Sequence, residues 1–160
     1  MIYSGYMIKK NKIVRAKYKS MDFSDLKTIG DYGLYRAFFR CNKLAIINLS
    51  FPELVSIGNS GLYMAFNGCS NISGNVSFPK LTTIETSGMW NTFYGCLGLS
   101  GSISFPKLTT VGGSGLYGAF INCNNITALH FRSDAQSVIE ASYGYNSKFG
   151  ASKATIYFDL

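Results

Sequence analysis

Apolar positions recur along this 160-residue chain in a pattern that appears four times. Each copy begins with a Phe and reaches a Cys 18 residues later, and the copies start 28, 27 and 27 residues apart. A period of this length is typical of stacked-repeat architectures, in which each unit buries its apolar face only against its neighbours. The four pairs are Phe23 with Cys41, Phe51 with Cys69, Phe78 with Cys96, and Phe105 with Cys123.

Each repeat is expected to contain a short helix and a short strand. Leu62, Phe66 and Cys69 are spaced i, i+4 and i+7, which places them on one side of a helix of about two turns. Before each repeat an alternating segment predicts a strand, with Leu129 and Phe131 inward and His130 outward in its clearest copy. The matching inward residues of the earlier strands are Ile47, Leu49 and Phe51, then Val76 and Phe78, then Ile103 and Phe105.

The predicted fold class is therefore α/β leaning to β, with a short parallel β-ladder on one side and short helices or turns on the other. Residues 1–160 are expected to form one domain that is capped at both ends. The cap at 1–22 is a basic hairpin, and 23–130 holds the four repeats. The cap at 131–160 combines a helix from Ser133 to about Ala141 with a strand whose inward residues are Ile156, Phe158 and Leu160.

Composition and charge add two constraints. The chain is 47% hydrophobic and 14% charged, which suits a continuous core and argues against disorder. Its net charge of +7 is concentrated in residues 1–20, which hold six basic residues and no acidic one. A Lys-rich segment can protect the edge of an end strand, and it can equally bind nucleic acid or another acidic partner. The basic residues singled out as candidate partner contacts are Lys9, Lys10, Lys12, Arg15 and Lys17.

No catalytic, cofactor or metal site is expected, and the chain is predicted not to be an enzyme. The four Cys follow the repeat period without any Cys-x-x-Cys pair, which indicates buried thiols rather than a disulfide or metal set. A G-x-G-x-x-G match over 113–118 is weak, because the equivalent segments around Gly61 and Gly88 lack that spacing. His130 is the single histidine, and the repeat places no acid beside it, as a Ser-His-acid site would require.

The repeated motif Leu-x-x-Ile-x-Phe-Pro-x-Leu-x-x-Ile-Gly, followed by Ala-Phe-x-x-Cys, resembles the BspA-type leucine-rich repeat, also called the Treponema-type repeat. The resemblance covers about residues 23–131, and this chain differs by an inserted Gly-x-Ser-Gly-Leu-Tyr-type loop. It implies a right-handed solenoid and the binding of macromolecules rather than catalysis. The chain as given shows no signal peptide or membrane span, so we expect a cytoplasmic protein with no membrane partner, or an extracellular or virion-surface protein if the sequence is a trimmed fragment.

Three functional hypotheses follow. The first is a non-enzymatic protein-binding module of bacterial or phage origin. The second is an intracellular regulator or phage-type inhibitor of a nucleic-acid enzyme that uses the basic segment, and the third is a surface, adhesion or phage-tail structural fragment. Phe39 between Arg36 and Arg40 is the best single anchor candidate, although Phe39 could instead pack under the amino-terminal cap. Asn75 and His130, on the outward side of the ladder, are the remaining candidates.

One aromatic column has two interpretations. Tyr35, Tyr63, Trp90 and Tyr117 occupy the same position in the four repeats. Strict repetition favours packing in the core or at its shoulder. A stacking platform for sugars or bases is the alternative.

Overall fold

A computed structural model describes residues 23–160, and within them the chain is a mixed α/β structure with parallel strands in two sheets and a few short helices. Each repeat contributes one strand to each sheet, so the repeats are joined to one another in sequence order. The hairpin predicted for 1–22 lies outside the described residues, together with Lys9, Lys10, Lys12, Arg15 and Lys17.

The larger sheet has five parallel strands in the order β2-β4-β6-β8-β9. Side chains at equivalent repeat positions pair in register, for example Ser104 with His130 and Phe105 with Phe131. The parallel β-ladder expected from the repeat is thereby confirmed. The strands are β2 (Ile47–Ser50), β4 (Ser73–Ser77), β6 (Gly98–Phe105), β8 (Asn125–Phe131) and β9 (Thr155–Phe158).

The smaller sheet has four strands of two residues each, in the order β1-β3-β5-β7. It was not foreseen from the sequence, because two residues are too few to show an alternating pattern. Its Ile residues pair in register and face the core, as Ile57 does with Ile84. The strands are β1 (Thr28–Ile29), β3 (Ser56–Ile57), β5 (Thr83–Ile84) and β7 (Thr110–Val111).

Two columns of stacked Phe rings run through the core between these sheets. In the first column the ring centroids are 5.1, 5.5 and 5.3 Å apart from one repeat to the next, and in the second they are 5.0, 5.5 and 5.9 Å apart. Nearly parallel rings at this separation add about 0.5–1.5 kcal/mol per pair to the stabilisation from burial alone. The columns are Phe51, Phe78, Phe105 and Phe131, and Phe38, Phe66, Phe93 and Phe120.

The two-turn helix predicted for each repeat is wrong, because the segment is a continuous run of turns. Along this segment, backbone N–H groups bond alternately to a carbonyl of the same repeat and to a carbonyl of the next repeat. Tyr35 donates to Tyr32 in its own repeat, whereas Leu34 donates to the Gly61 carbonyl of the next repeat at 2.8 Å. An α-helix would use both kinds of amide internally. Every fourth residue also has positive φ, including Tyr32, Arg36 and Arg40. The inward direction of Leu62, Phe66 and Cys69 is nevertheless as predicted, since all three are fully buried.

The repeated cysteines are free and buried, as the sequence indicated. The thiol of Cys69 donates to the Phe38 carbonyl at 3.0 Å, and Cys96 and Cys123 make the same bond to Phe66 and Phe93. Each thiol therefore links its own repeat to the one before it. Burial raises the pKa of Cys69 and of Cys123 to about 12, and it raises the pKa of Cys96 as well.

Alkaline pH is expected to destabilise the fold through these thiols. The ordinary thiol pKa is 9.0, so above that pH the unfolded chain loses protons that the native thiols retain. Below pH 9 the thiols are protonated in both states and the fold keeps its full stability. Above that pH the free energy of unfolding falls by about 1.4 kcal/mol per pH unit for each thiol. Urea unfolding between pH 8 and pH 10 measures this slope, and Cys69→Val should reduce it by removing one titrating thiol. An unfolding free energy that stays constant over this range would contradict the expectation.

The carboxyl-terminal cap follows its prediction in outline. A 3-10 turn at Ser133–Ala135 leads into α1 (Gln136–Ala141), without the side-chain cap expected from Ser133. Further 3-10 turns span Tyr145–Gly150, and the carbonyl of Phe149 accepts the amide of Phe120 at 3.0 Å, which docks the cap on the last repeat.

Two predicted inward residues are in fact exposed. Ile47 is 77% exposed because Asn48 has a φ of 57°, which breaks the alternation of β2 at a register shift. Leu160 is also exposed, since β9 ends two residues earlier, at Phe158. In both cases the prediction applied the inward–outward alternation of a strand to a residue that lies outside the regular part of that strand.

Candidate recognition surface on the turn face

The runs of turns present one continuous outer surface, which we call the turn face and define as the outward side chains of residues 32–40, 60–68, 87–95 and 114–122. Because the turns repeat every four residues and the repeats are hydrogen-bonded in register, equivalent side chains form straight columns across the repeats. Of the exposed aromatic and Arg side chains among residues 23–160, most lie on the turn face, and these residue types are enriched in binding hot spots.

The aromatic column on the turn face is longer than the sequence predicted. Tyr35 and Tyr63 stack at 4.9 Å, Trp90 continues the column, and Tyr117 stacks on Tyr143 of the cap at 4.9 Å. Tyr63, Trp90 and Tyr117 are half-buried, so the rings pack at the shoulder of the core and not inside it. Their edges still reach solvent, with Tyr35 42% and Tyr143 64% exposed. Inner rings have covered faces, so a flat sugar or base cannot lie on them.

The indole of Trp90 is held in place by its neighbour. With the Asn91 amide oriented so that its nitrogen donates to the Gly118 carbonyl at 3.2 Å, its oxygen accepts the Trp90 indole N–H at 3.1 Å. Trp90 is the single Trp of the chain and lies midway along the turn face. Its fluorescence therefore reports on whatever contacts this surface.

The first repeat adds a cluster of two cations around one ring. The guanidinium carbon of Arg36 lies 4.3 Å from the centroid of the Phe39 ring, and that of Arg40 lies 5.1 Å from it. Both Arg side chains are exposed, and Phe39 is half-buried beneath them. The three residues singled out from the sequence thus form one cluster, which we call the Arg-Phe-Arg cluster.

Both arginines of this cluster have a left-handed backbone conformation that residues other than Gly and Asn rarely adopt. Arg36 has a φ of 50° and Arg40 a φ of 56°. A left-handed conformation costs a residue with a β-carbon about 1–2 kcal/mol, and such residues concentrate at functional sites. The later repeats mostly use Gly or Asn at the same two positions, which hold Met64 and Gly68, Asn91 and Gly95, and Gly118 and Asn122.

The charge of the cluster is not balanced by an ion pair among residues 23–160. Acidic partners are found for other cations, as in the Lys80–Glu53 and Arg132–Asp134 pairs, but neither Arg36 nor Arg40 has one. Within this part of the chain no side-chain hydrogen bond engages either guanidinium, and both lie beside a partly exposed ring. This arrangement suits a carboxylate or phosphate that approaches from solvent.

The outer side of the larger sheet is smoother. Asn75 is exposed, and its backbone N–H donates to the Asn48 side-chain oxygen at 3.0 Å, while the hydroxyls of Ser50 and Ser77 lie 3.0 Å apart. Short polar side chains that already hydrogen-bond to one another contribute little binding energy to an interface with a partner. Asn75 therefore belongs to the sheet surface and is not part of the Arg-Phe-Arg cluster.

His130 has an acidic neighbour that the repeat alone did not indicate. Its Nδ1 lies 2.9 Å from Asp159 Oδ1, and Asp159 comes from the cap rather than from a repeat. The imidazole stacks on Tyr157 at an angle of 14°, so it turns its other face toward Ser104 on the opposite neighbouring strand. A general base must point a ring nitrogen at the hydroxyl. The arrangement therefore orients His130 without forming a Ser-His-Asp triad.

Two further properties concern chemistry and membranes. Within residues 23–160, no group of three or more His, Cys, Asp or Glu side chains is close enough to hold a metal ion. The helices in this part of the chain are three to six residues long, and none could cross a bilayer.

No model of a known protein family matches this chain, and neither the curated proteins nor the solved structures include one that matches it. Its function therefore has to be inferred from its own residues. Among the described residues, the turn face with the Arg-Phe-Arg cluster is the strongest candidate for a recognition surface.

Proposed function

We propose that this chain is a non-enzymatic protein-binding module that recognises its partner through the turn face. The single observation that carries the proposal is the Arg-Phe-Arg cluster, in which two exposed cations that have no acidic partner among residues 23–160 surround one half-buried ring. Arg and aromatic residues dominate the energetics of protein interfaces when they lie close together in a rigid setting. Here the setting is rigid because inter-repeat hydrogen bonds of 2.7–2.8 Å fix the backbone of Arg36 and Arg40.

The fold proposed with this function is a right-handed leucine-rich-repeat solenoid of the BspA type. Its support is the repeated motif together with the parallel pairing of equivalent residues in both sheets. Repeat proteins of this architecture commonly bind through extended rigid surfaces. In the proposed module the residues that are alike in every repeat build the stack, and the residues that differ recognise the partner.

Substitutions in the cluster are expected to weaken partner capture. The full chain, immobilised and incubated with an extract of its native host, should retain a specific protein, and the variants Arg36→Ala, Phe39→Ala and Arg40→Ala should each weaken that binding by about 2 kcal/mol, or roughly 30-fold. Titration followed by Trp90 fluorescence gives the affinities. The matched controls are Lys107→Ala and Lys148→Ala, which remove cations from the fourth repeat and from the cap. Equal binding by cluster and control variants would contradict the proposal.

A second candidate is a regulator or inhibitor that engages nucleic acid or a nucleic-acid enzyme. The observation that favours it is that Arg36 and Arg40 belong to the first repeat, directly after the segment 1–20 with its six cations. Binding of a single-stranded oligonucleotide should then weaken steeply as salt is raised, because each phosphate contact releases counterions. Replacement of Lys9, Lys10, Lys12 and Arg15 by Ser should flatten that dependence, and an unchanged dependence would exclude this candidate.

A further inference from the structure

The larger sheet ends in an edge strand that lacks the usual protection. β9 is the last strand in the order, and among residues 23–160 nothing pairs with its outer edge. Its four residues, Thr-Ile-Tyr-Phe, all favour strands and include no Pro and no charge. Natural edges of this kind are usually shortened, charged or covered, since they otherwise pair with another strand. The outer edges of the smaller sheet, by comparison, are only two residues long.

The core beside β9 is also incompletely covered. Ile156 and Phe158 point inward but remain half-exposed, whereas Leu129 and Phe131, their register partners in β8, are fully buried. Tyr157 is 44% exposed on the other side of the strand. A further strand added at this edge would bury the inner pair and continue the sheet.

The direction of the peptide groups restricts how a second strand can pair. The carbonyl of Phe131 accepts an N–H of the cap and so faces β9, and its register partner is Phe158, so in this parallel pair the peptide groups of Thr155 and Tyr157 bond to β8. Peptide groups alternate along a strand, and those of Ile156 and Phe158 therefore face the open edge. An antiparallel hydrogen-bonded pair joins two residues that both face the edge. Two copies of β9 can accordingly pair only with a two-fold axis passing through a residue, such as Ala154, Ile156 or Phe158.

Of these axes, the one through Ile156 brings opposite charges together. It places Thr155 opposite Tyr157 of the second copy and Lys153 opposite Asp159 of the second copy, and the symmetry repeats both pairs. An axis through Ala154 or Phe158 loses the charge pairs. Overall charge does not oppose the contact, since residues 131–160 hold three basic and three acidic residues while the strongly basic segment is at the other end of the sequence.

We propose that two copies of this chain associate through antiparallel pairing of β9, with the two-fold axis at Ile156. The two Ile156 residues exchange two backbone hydrogen bonds, each Phe158 donates its N–H to the Ala154 carbonyl of the other copy, and Lys153 and Asp159 form two cross-strand ion pairs. Ile156 and Phe158 become covered by the same residues of the second copy. The two five-stranded sheets join into one of ten strands, and the turn faces of both copies remain open.

The test is sedimentation equilibrium of the full chain over a wide concentration range at low salt. The 17.6 kDa chain should approach a mass of about 35 kDa as its concentration rises. Ile156→Pro removes the two hydrogen bonds that the Ile156 N–H groups donate and should keep the chain monomeric, because Pro is tolerated on an edge strand where its nitrogen faces outward. Ile156→Val, the matched control that keeps the N–H, should associate like the wild type.

A charge exchange tests the register itself. Lys153→Asp and Asp159→Lys each place like charges opposite one another in a homodimer, so each should associate about 10-fold more weakly than the wild type. An equimolar mixture of the two variants restores both opposite-charge pairs and should recover the association, while Lys107→Asp in the fourth repeat should change nothing. A wild-type chain that stays monomeric at every concentration, or a mixture that is no stronger than its components, would overturn the proposal. The first of these results would leave the edge available to a strand from another protein.

Discussion

Replacement of Phe93 by Ala is expected to lower the free energy of unfolding by about 3–5 kcal/mol. Phe93 is fully buried, and its ring stacks between those of Phe66 at 5.5 Å and Phe120 at 5.9 Å. The missing ring leaves a cavity and breaks two stacked pairs, and each repeat is held only by its immediate neighbours. Urea unfolding followed by circular dichroism measures the loss.

The adjacent Tyr94 supplies the matched control. Its side chain is exposed on the turn face, and Tyr94→Ala is expected to cost less than about 1 kcal/mol. A similar cost for both substitutions would mean that the stacked Phe column is not what holds the third repeat to its neighbours.

Gly150→Ala is expected to lower the free energy of unfolding by about 2–4 kcal/mol and to detach the carboxyl-terminal cap. Gly150 has a φ of 91°, and a β-carbon there would lie 2.6 Å from the backbone nitrogen of Ile121. The backbone of the cap must move away to relieve this overlap, which weakens the bond between Phe120 and Phe149. Thermal unfolding measures the stability, and hydrogen exchange of the Phe120 amide measures the docking.

Gly101→Ala separates the cost of the positive φ from the cost of the steric overlap. Gly101 has a similar φ of 79°, but a β-carbon there would have no neighbour within 4 Å. Its substitution should cost only the conformational part, about 1 kcal/mol. If both variants lost the same stability, the close approach at Ile121 would not be what fixes the cap.

The sequence predicts the columns of this structure because identical side chains recur at identical spacing. Phe51, Phe78 and Phe105 each begin a repeat, so parallel pairing of the repeats places one ring on the next. The same reasoning places the cysteines in a buried row. These features depend on the order of the repeats and on burial, both of which periodicity records directly.

Periodicity does not distinguish a helix from turns that also advance every four residues. Leu62, Phe66 and Cys69 would share one face of a helix, and they share the inner face of the turns as well. What separates the two structures is the positive φ at Ser60, Met64 and equivalent residues, and Ser and Met give no sign of it. The smaller sheet escapes prediction for a related reason, since its strands are shorter than one period of alternation.

The candidate site also has features that the sequence predicts and features that it does not predict. Arg36, Phe39 and Arg40 could be grouped from their spacing, because residues three and four apart are neighbours in either structure. The position of Asp159 beside His130 could not be predicted, since it depends on how the cap strand pairs with β8. Prediction from the repeat therefore ends where the cap begins.

The central proposal is that residues alike in every repeat hold the stack and that residues that differ recognise the partner. Its most direct test is a variant in which the first repeat takes the residues of the second, namely Arg36→Met, Phe39→Asn and Arg40→Gly. Partner affinity and unfolding free energy are measured on the same preparation. We predict that the affinity falls at least 30-fold while the stability changes by less than about 1 kcal/mol, since Gly relieves the positive φ at residue 40. Unchanged affinity, or a large loss of stability, would contradict the account.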